Sequence, residues 1–168
     1  MNDLEPTGEL LVVDGKGTVR MEDLYRTDID NLWAAITSPH RVARWLGSVK
    51  GDLRVGGLVH MSLVSGWDGP ARIDTCDPPH HLSLTNNPGA ADETRMVATL
   101  TREGPLTRLR IEEAGFPLDA TPFHGSGWQA HVEDLRAHLE GRPASDWETR
   151  WKALTPGYQE IARTRLLT

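Results

Sequence analysis

Cysteine and long apolar runs are scarce in this sequence. Cys76 is the single cysteine among 168 residues, which excludes an internal disulfide and a metal site built from several thiolates. We expect this thiol to be buried and inert. No run approaches the roughly 18 apolar residues of a membrane-spanning helix, and residues 1–6 contain acidic side chains where a signal peptide has basic ones. A cytoplasmic protein without a membrane partner is therefore expected.

Positive charge is also in short supply. Lys and Arg number 18 against 24 Asp and Glu, which gives a net charge of −6 at pH 7. Nucleic-acid binding requires clustered basic side chains, because the release of counterions from the phosphates drives the affinity. The basic residues of this chain are scattered among the acids. We therefore expect no nucleic-acid partner.

The first part of the chain predicts a hairpin followed by two short helices. Residues 8–13 and 18–26 are β-like runs, and the Asp14-Gly15 step between them supplies the positive φ that a tight turn needs. Apolar residues then recur with a helical period. Ser38-Pro39 divides them, because Ser is a good N-cap and Pro suits the first helical position. The second helix is predicted to end at Gly47.

Beyond Gly47 the helical period disappears and turn residues separate short runs that alternate in polarity. Leu109 and Ile111 share one face of such a run, and Arg110 and Glu112 share the other. This alternation is typical of an antiparallel sheet with one covered and one wet face. Short connections favour a meander of the runs 48–53, 58–65, 71–76, 81–85, 94–101 and 106–113.

A long helix is predicted over residues 118–141, with Asp119 or Thr121 as its N-cap and Gly141 as its stop. Its buried face is centred on Trp128. The residues within about 40° of Trp128 at roughly 100° per residue are His124, Val132, Leu135 and Leu139. The residues predicted to point away are Gln129, Ala130, Glu133, Arg136 and Glu140. A helix of this kind that closes over a sheet leaves a cavity, and we place the function there.

The chain after this helix predicts an amphipathic tail. Ser145 and Glu148 have the spacing of a capping box for a helix that carries Trp147, Trp151 and Leu154. Thr155-Pro156 is predicted to restart a final helix. The tail must cover something, which is either its own domain or a partner, such as a second copy in a homodimer.

Several motifs, taken together and in this order, resemble the bacterial family called activator of heat-shock protein 90 ATPase homologue-like. This family belongs to the START-like (SRPBCC) superfamily with the birch-pollen-allergen, or helix-grip, fold. The similarity covers roughly residues 8–142. It is carried by the segment 32–45, by Val55-Gly56-Gly57, by the segment 76–82, by Thr107-Arg108-Leu109 and by Gly127-Trp128.

The resemblance implies an α+β helix-grip fold, in which a curved antiparallel sheet wraps around the long C-terminal helix. We expect a helix-grip domain over residues 1–143 and a helical extension over 144–168. The resemblance also implies a cavity for a small hydrophobic or amphipathic molecule and no fixed catalytic set. Two alternatives stay open, which are an enzyme similar to polyketide cyclases and a module that interacts with a chaperone. No nucleophile motif is present, so an enzyme is the less favoured interpretation.

The candidate site residues are the aromatic, apolar and histidine side chains expected around this cavity. The ligand-binding candidates are Trp45, His60, Trp67, Leu84, Met96, Phe116, Phe123, His124, Trp128 and His131. If a reaction is catalysed, acid–base candidates are His124, His131 and Glu112.

No cofactor and no metal are expected. The three histidines of the long helix, at positions 124, 131 and 138, recur every seven residues, so neighbours are about 10.5 Å apart along the axis. This is too far for one ion. A metal site assembled from different elements, such as His60 with His124 or His131, stays open.

Overall fold

A computed structural model describes residues 3–166 and has an α+β architecture. One antiparallel sheet is built from β1 Glu9–Val13, β2 Lys16–Tyr25, β3 Gly47–Gly51, β4 Leu58–Leu63, β5 Asp68–Asp77, β6 His81–Asn86, β7 Thr94–Glu103 and β8 Leu106–Phe116. The helices are α1 Ile29–Thr37, α2 Pro39–Val42, α3 Thr121–Leu139 and α4 Trp147–Arg165. The predicted fold class, a curved sheet around a long C-terminal helix with two short helices after the first strands, is confirmed.

The sheet has the strand order β1-β2-β8-β7-β6-β5-β4-β3. The last six strands form the predicted meander, and the N-terminal hairpin joins it because β2 pairs with β8. Alternation along each strand sends apolar side chains to the concave face, where Val59, Ile73, Ala98 and Ile111 are all buried. α1 and α2 contribute Leu32 and Trp45 to the same core.

α3 is more completely enclosed than its sequence predicts. Gln129 and Ala130, which were predicted to point away from the core, are buried, so that prediction is wrong. The reason is that α4 and the N-terminal segment cover this flank, where Gln129 Oε1 accepts hydrogen bonds from the Thr7 amide at 2.9 Å and from the Tyr158 hydroxyl at 2.6 Å. The predicted N-cap is also wrong, because Ala120 occupies that position without a side-chain bond.

α4 is one continuous helix, not the two helices that Pro156 suggested. Leu154, Tyr158 and Ala162 are buried at a spacing of four residues, so the same face continues past the proline. This burial stabilises the helix although the proline ring removes one backbone donor. The N-cap is Asp146, which accepts from the Thr149 amide, and not Ser145.

The docked α4 forms a second core at one end of the sheet. Tyr158, Leu154 and Leu10 are buried together there, beside Phe116 at the end of β8. The hydroxyls of Ser126 on α3 and Thr155 on α4 are 2.9 Å apart. α4 therefore packs against α3 and the N-terminal hairpin of its own chain.

Two expectations drawn from composition have different outcomes. Within residues 3–166, no helix has both the length and the apolar character needed to cross a membrane. The prediction that Cys76 is buried is wrong, because the thiol is exposed. A register shift between Ile73 and Thr75 leaves Cys76 opposite Leu82 near the end of β5, where the strand is uncovered.

Candidate functional site

A cavity of about 1000 Å³ lies between the concave face of the sheet and the helices α3 and α4. Its floor is apolar because the inward side chains of five neighbouring strands, β4 to β8, meet there. These side chains are Val59, Met61, Ile73, Leu84, Met96, Ala98 and Ile111. The sheet curves away from the helices, so the packing of this region leaves a volume that the protein itself does not fill.

Indole rings form most of the wall opposite the sheet. Trp147 and Trp151 are one turn apart on α4 and stack with centroids 5.9 Å apart and planes 11° from parallel. The Trp147 ring also lies 5.2 Å from the imidazole of His131, and Trp128 meets that imidazole edge-on at 5.8 Å. Trp45 and Trp67 line the cavity as well. The wall thus presents wide, flat apolar surfaces to whatever enters.

A carboxylate faces this apolar space from the last strand. Glu113 Oε1 accepts a hydrogen bond from the indole N–H of Trp128 at 2.8 Å. Its Oε2 accepts from the hydroxyl of Thr94 at 2.6 Å and from the amide nitrogen of Asn86 at 3.2 Å. Three strands and α3 therefore hold the Glu113 side chain in one orientation, with its charge directed toward the cavity.

His124 also lines the cavity and lies near the Glu113 carboxylate. Its ring stacks on Phe116 with centroids 3.9 Å apart and planes 13° from parallel. Surrounding protein atoms lower the pKa of His124 below its usual 6.5, and the nearby charge of Glu113 opposes this shift. His124 is itself exposed, so the prediction that it lies on the buried face of α3 is wrong, and the neutral form of its ring can donate or accept a hydrogen bond at the opening of the cavity.

His131 lies deeper than His124 and is only 5 % exposed. Burial lowers the pKa of His131 to about 4, and the backbone of Trp45 offsets only part of this shift. Its ring is therefore neutral at physiological pH, and its Nδ1 atom has no hydrogen-bond partner within the described residues. A buried nitrogen without a hydrogen-bond partner reduces the stability of the folded protein. A hydrogen bond to Nδ1 of His131 would therefore increase that stability.

The buried side-chain polar atoms that lack a partner all belong to residues around this cavity. Across residues 3–166 they are Asn86 Oδ1, His131 Nδ1 and Trp147 Nε1. One is an acceptor and one is a donor, and the imidazole nitrogen serves as either according to its tautomer. Each of these atoms has less than 1 Å² of accessible surface, so a molecule in the cavity reaches them only when neighbouring side chains move.

The rim of the cavity combines exposed apolar side chains with acidic ones. Leu53, Val64 and Phe123 are 52 %, 54 % and 40 % exposed and line the opening. Asp92 and Glu148 are the acidic residues of the rim. No Lys or Arg lines the cavity in the part of the chain that the structure describes. An apolar rim gives an amphipathic molecule a path from solvent to the interior.

The structure brings most of the candidate ligand-binding residues together. Those that line the cavity are Trp45, Trp67, Leu84, Met96, Phe116, Phe123, His124, Trp128 and His131. His60 is different, because it lies on the outer face of β4, where its Nε2 is 2.8 Å from Asp68. The catalytic candidate Glu112 also lies on the outer face, where it pairs with Arg20 at 2.7 Å.

Sequence reasoning missed Glu113, Asn86, Trp147 and Trp151 as cavity residues. For Glu113 a signal exists, since the alternation that turns Leu109 and Ile111 inward also turns Glu113 inward and Glu112 outward. Choosing Glu112 contradicted that alternation. For Trp147 and Trp151 no local signal exists, because their position depends on where α4 docks.

Metal binding has no support in the geometry. Within residues 3–166, no three His, Cys, Asp or Glu side chains come close enough to hold an ion. The prediction that left open a metal site of His60 with His124 or His131 is wrong. His60 is on the outer face of the sheet, whereas the other two histidines line the cavity.

Comparison with known proteins agrees with this geometry. Residues 26–140 match the family model of activator of Hsp90 ATPase homolog 1-like protein. No curated protein matches the chain. The crystal structure of CalU16 from Micromonospora echinospora is 23% identical, covers 92% of this chain and 96% of that chain, and superposes with a TM-score of 0.76.

Two further structures have similar folds. DynU16, a protein in the dynemicin biosynthetic locus, is 26% identical over 76% of this chain and 49% of that chain, with a TM-score of 0.69. MLL2253 from Mesorhizobium loti is 27% identical over 74% of this chain and 97% of that chain, with a TM-score of 0.67. The resemblance drawn from the sequence motifs is thereby confirmed for family and fold.

Proposed function

The chain belongs to the family of activator of Hsp90 ATPase homolog 1-like proteins, and we propose that it binds a small amphipathic molecule in the cavity between the sheet and the helices α3 and α4. The ligand enters over the apolar rim and lies with its flat or branched apolar part between the strand side chains and the indole wall. Its polar groups meet Glu113, Asn86, His131 and Trp147.

The observation that carries this proposal is a large apolar space with one fixed carboxylate, Glu113, in its lining. About 1000 Å³ is at the upper end of the range of roughly 300–1,000 Å³ that is usual for small-molecule sites. Protein interiors are close-packed, so a void of this size sacrifices dispersion contacts and stability. A ligand that fills the void recovers these dispersion contacts.

Titration with the neutral hydrophobic dye Nile red, followed by its fluorescence, tests the proposal. We expect saturable enhancement that is lost in Met96→Trp, because Met96 lines the cavity and an indole there occupies it. The matched control is Val97→Trp, which places the same ring on the other face of β7 and should bind the dye as wild type does. Equal loss in both variants, or no saturable binding by the wild type, would reject the proposal.

A reaction in this cavity is the second candidate function. His124 and Glu113 face the same space, and a neutral imidazole beside a carboxylate is suited to general acid–base catalysis. DynU16 comes from a biosynthetic locus, which supports the same idea for this chain. Native mass spectrometry would identify a retained ligand, and incubation with that ligand would reveal any product. A His124→Ala variant that forms product at the wild-type rate would exclude this assignment.

Two predictions from the sequence remain predictions. A chaperone of the Hsp90 type as partner rests on the family description alone. A homodimer rests on the amphipathic tail, whose buried residues Leu154 and Tyr158 are occupied within the same chain. Both are checked by size-exclusion chromatography of the protein alone and mixed with the chaperone.

A further inference from the structure

The side chains with a formal charge that line the cavity in the described part of the chain are acidic, and one of them, Glu148, is paired with Lys152 at 2.7 Å. The ionisable residues of its lining, apart from Cys76, are Asp92, Glu113 and Glu148 together with His124 and His131. Burial lowers the pKa of His131 to about 4, so its ring is neutral at physiological pH; the pKa of the more exposed His124 is lowered as well, although the charge of Glu113 opposes that shift. Lys and Arg do not line the cavity in the described part of the chain. The field inside therefore favours neutral or cationic ligands and disfavours a carboxylate or phosphate.

Glu113 holds a charge that the protein does not balance. Its hydrogen bonds come from neutral groups, which are the indole of Trp128, the hydroxyl of Thr94 and the amide of Asn86. Within residues 3–166 it forms no ion pair, whereas the adjacent Glu112 pairs with Arg20. A half-buried carboxylate without a counter-charge is costly, and a cation brought by a ligand offsets that cost.

A second acceptor lies beside this carboxylate. The Nδ2 atom of Asn86 donates to Glu113, so its Oδ1 lies at the same corner of the cavity, where it has no partner and less than 1 Å² of accessible surface and is reached by a ligand only when the Asn86 side chain turns. A ligand group that serves both acceptors needs at least two hydrogens. A hydroxyl offers one O–H donor, whereas an ammonium offers three N–H donors.

The surroundings of Glu113 also suit a positive charge. The indole of Trp128 donates to the carboxylate at 2.8 Å through its N–H edge, so an ammonium group bound to Glu113 meets the face of the indole when it lies above the ring plane. The electron-rich face of an indole attracts an ammonium group. Trp147 and Trp151 extend the aromatic surface away from this corner and accommodate an apolar body.

From these four observations we propose that the ligand is an amine. Its protonated nitrogen binds between Glu113 and Asn86, and its ring system lies against the tryptophans of α3 and α4. This inference rests on the proposed function, which it makes more specific by naming the chemical class of the ligand. A fatty acid or a phosphorylated lipid, both of which bring negative charge, is excluded by the same argument.

Three probes of one size separate the possibilities by isothermal titration calorimetry at neutral pH. They are naphthylmethylamine, naphthylmethanol and naphthoate, which are cationic, neutral and anionic. We expect the amine to bind at least about tenfold more tightly than the alcohol, which corresponds to about 1.4 kcal/mol, because a charge-assisted hydrogen bond is stronger than a neutral one. Naphthoate should bind most weakly. If the alcohol equals the amine, or if naphthoate binds best, the amine assignment is wrong.

Matched variants show which residue causes the preference for the amine over the alcohol. Glu113→Gln keeps an oxygen for Trp128 and removes the charge, so the amine should lose its advantage while naphthylmethanol binds as before. Glu112→Gln changes the neighbouring residue on the outer face and should leave all three affinities unchanged. A retained amine preference in Glu113→Gln would overturn the inference. If Glu113→Gln does not fold, Asn86→Leu tests the same corner, and the wild-type order of affinities decides on its own.

The two proposals fail in different ways. If none of the three probes binds and Nile red shows no saturable binding, the cavity is not a ligand site and the proposed function is wrong. A different result rejects only the assignment to an amine. In that case naphthylmethanol binds as tightly as naphthylmethylamine, and Glu113→Gln changes neither affinity, so the cavity is still a ligand site.

Discussion

The indole N–H of Trp128 and the carboxylate of Glu113 are joined by a hydrogen bond of 2.8 Å. This bond connects the middle of α3 to the last strand of the sheet and lies at the edge of the cavity. It fixes the orientation of the tryptophan ring and of the carboxylate together. The geometry of the candidate site therefore depends on a contact between two residues fifteen positions apart in the sequence.

A double-mutant cycle should detect this contact in the free energy of unfolding. Trp128→Phe removes the donor and Glu113→Gln removes the charge of the acceptor. We expect each single change to destabilise the protein by about 1–3 kcal/mol, since bonds to charged groups are stronger than neutral ones. The coupling should be at least about 0.5 kcal/mol in urea unfolding. Strictly additive energies would show that the two side chains do not interact.

Two glycines of α3 should differ in their tolerance of a methyl group. A β-carbon at Gly125 would come within 2.6 Å of Cδ1 and 2.9 Å of Cε1 of Tyr158 on α4, whereas at Gly127 the nearest atom is Trp147 Cζ2 at 3.3 Å. Overpacking costs about 1–3 kcal/mol, and alanine gains up to about 1 kcal/mol of helix propensity. We expect Gly125→Ala to be the less stable variant in thermal unfolding.

The same pair of variants tests whether α4 docks on α3 as described. If α4 were detached in solution, the rings of Tyr158 and Trp147 would be absent from α3. The difference between the two alanine variants would then shrink to the effect of Leu10 Cδ2, which a β-carbon at Gly125 would still meet at 3.0 Å. That outcome would contradict the packing on which one wall of the cavity depends.

Stability should fall in mild acid because of His131. Its pKa is lowered from 6.5 to about 4, so below pH 6.5 the unfolded chain binds a proton that the folded protein does not. Stability is therefore fully present above about pH 6.5 and is lost progressively toward pH 4, by on the order of 3 kcal/mol in total. About 2 kcal/mol of this loss falls between pH 7 and pH 5.

Urea unfolding at pH 7 and pH 5 measures this effect, with His131→Gln as the comparison. The variant lacks the titrating ring, so its loss of stability over the same interval should be smaller by about 2 kcal/mol. The pKa values of His124 and His138 are lowered as well, but these residues are present in both proteins and cancel in the difference. An equal loss in both proteins would contradict the assignment to His131.

Local patterns in the sequence were sufficient for the sheet and for the apolar lining. Alternation places Met96 and Ala98 on one face of β7, and the structure has both at the cavity. The same rule predicts that Glu113 faces the cavity, because it follows the inward-facing Ile111 by two residues on β8. Patterns of this kind work because the faces of a strand are fixed by its own geometry.

The remaining features depend on contacts between distant parts of the chain. Gln129 appeared solvent-facing on a helical wheel, but Tyr158 and the backbone near Thr7 enclose it. Trp147 lies on a helix whose docking position no local pattern specifies. Asn86 reads as a turn residue, and its role at the cavity follows only from its bond to Glu113 on a strand that is not its neighbour.

The most direct test of the account is to follow the indole N–H signals of the six tryptophans by NMR during titration with naphthylmethylamine. Five of these side chains line the cavity, and Trp33 does not. We expect saturable shifts of the Trp128 and Trp147 signals, which are assigned with Trp→Phe variants, and an unchanged Trp33 signal. Unchanged signals from Trp128 and Trp147 at a concentration that saturates binding would contradict the account.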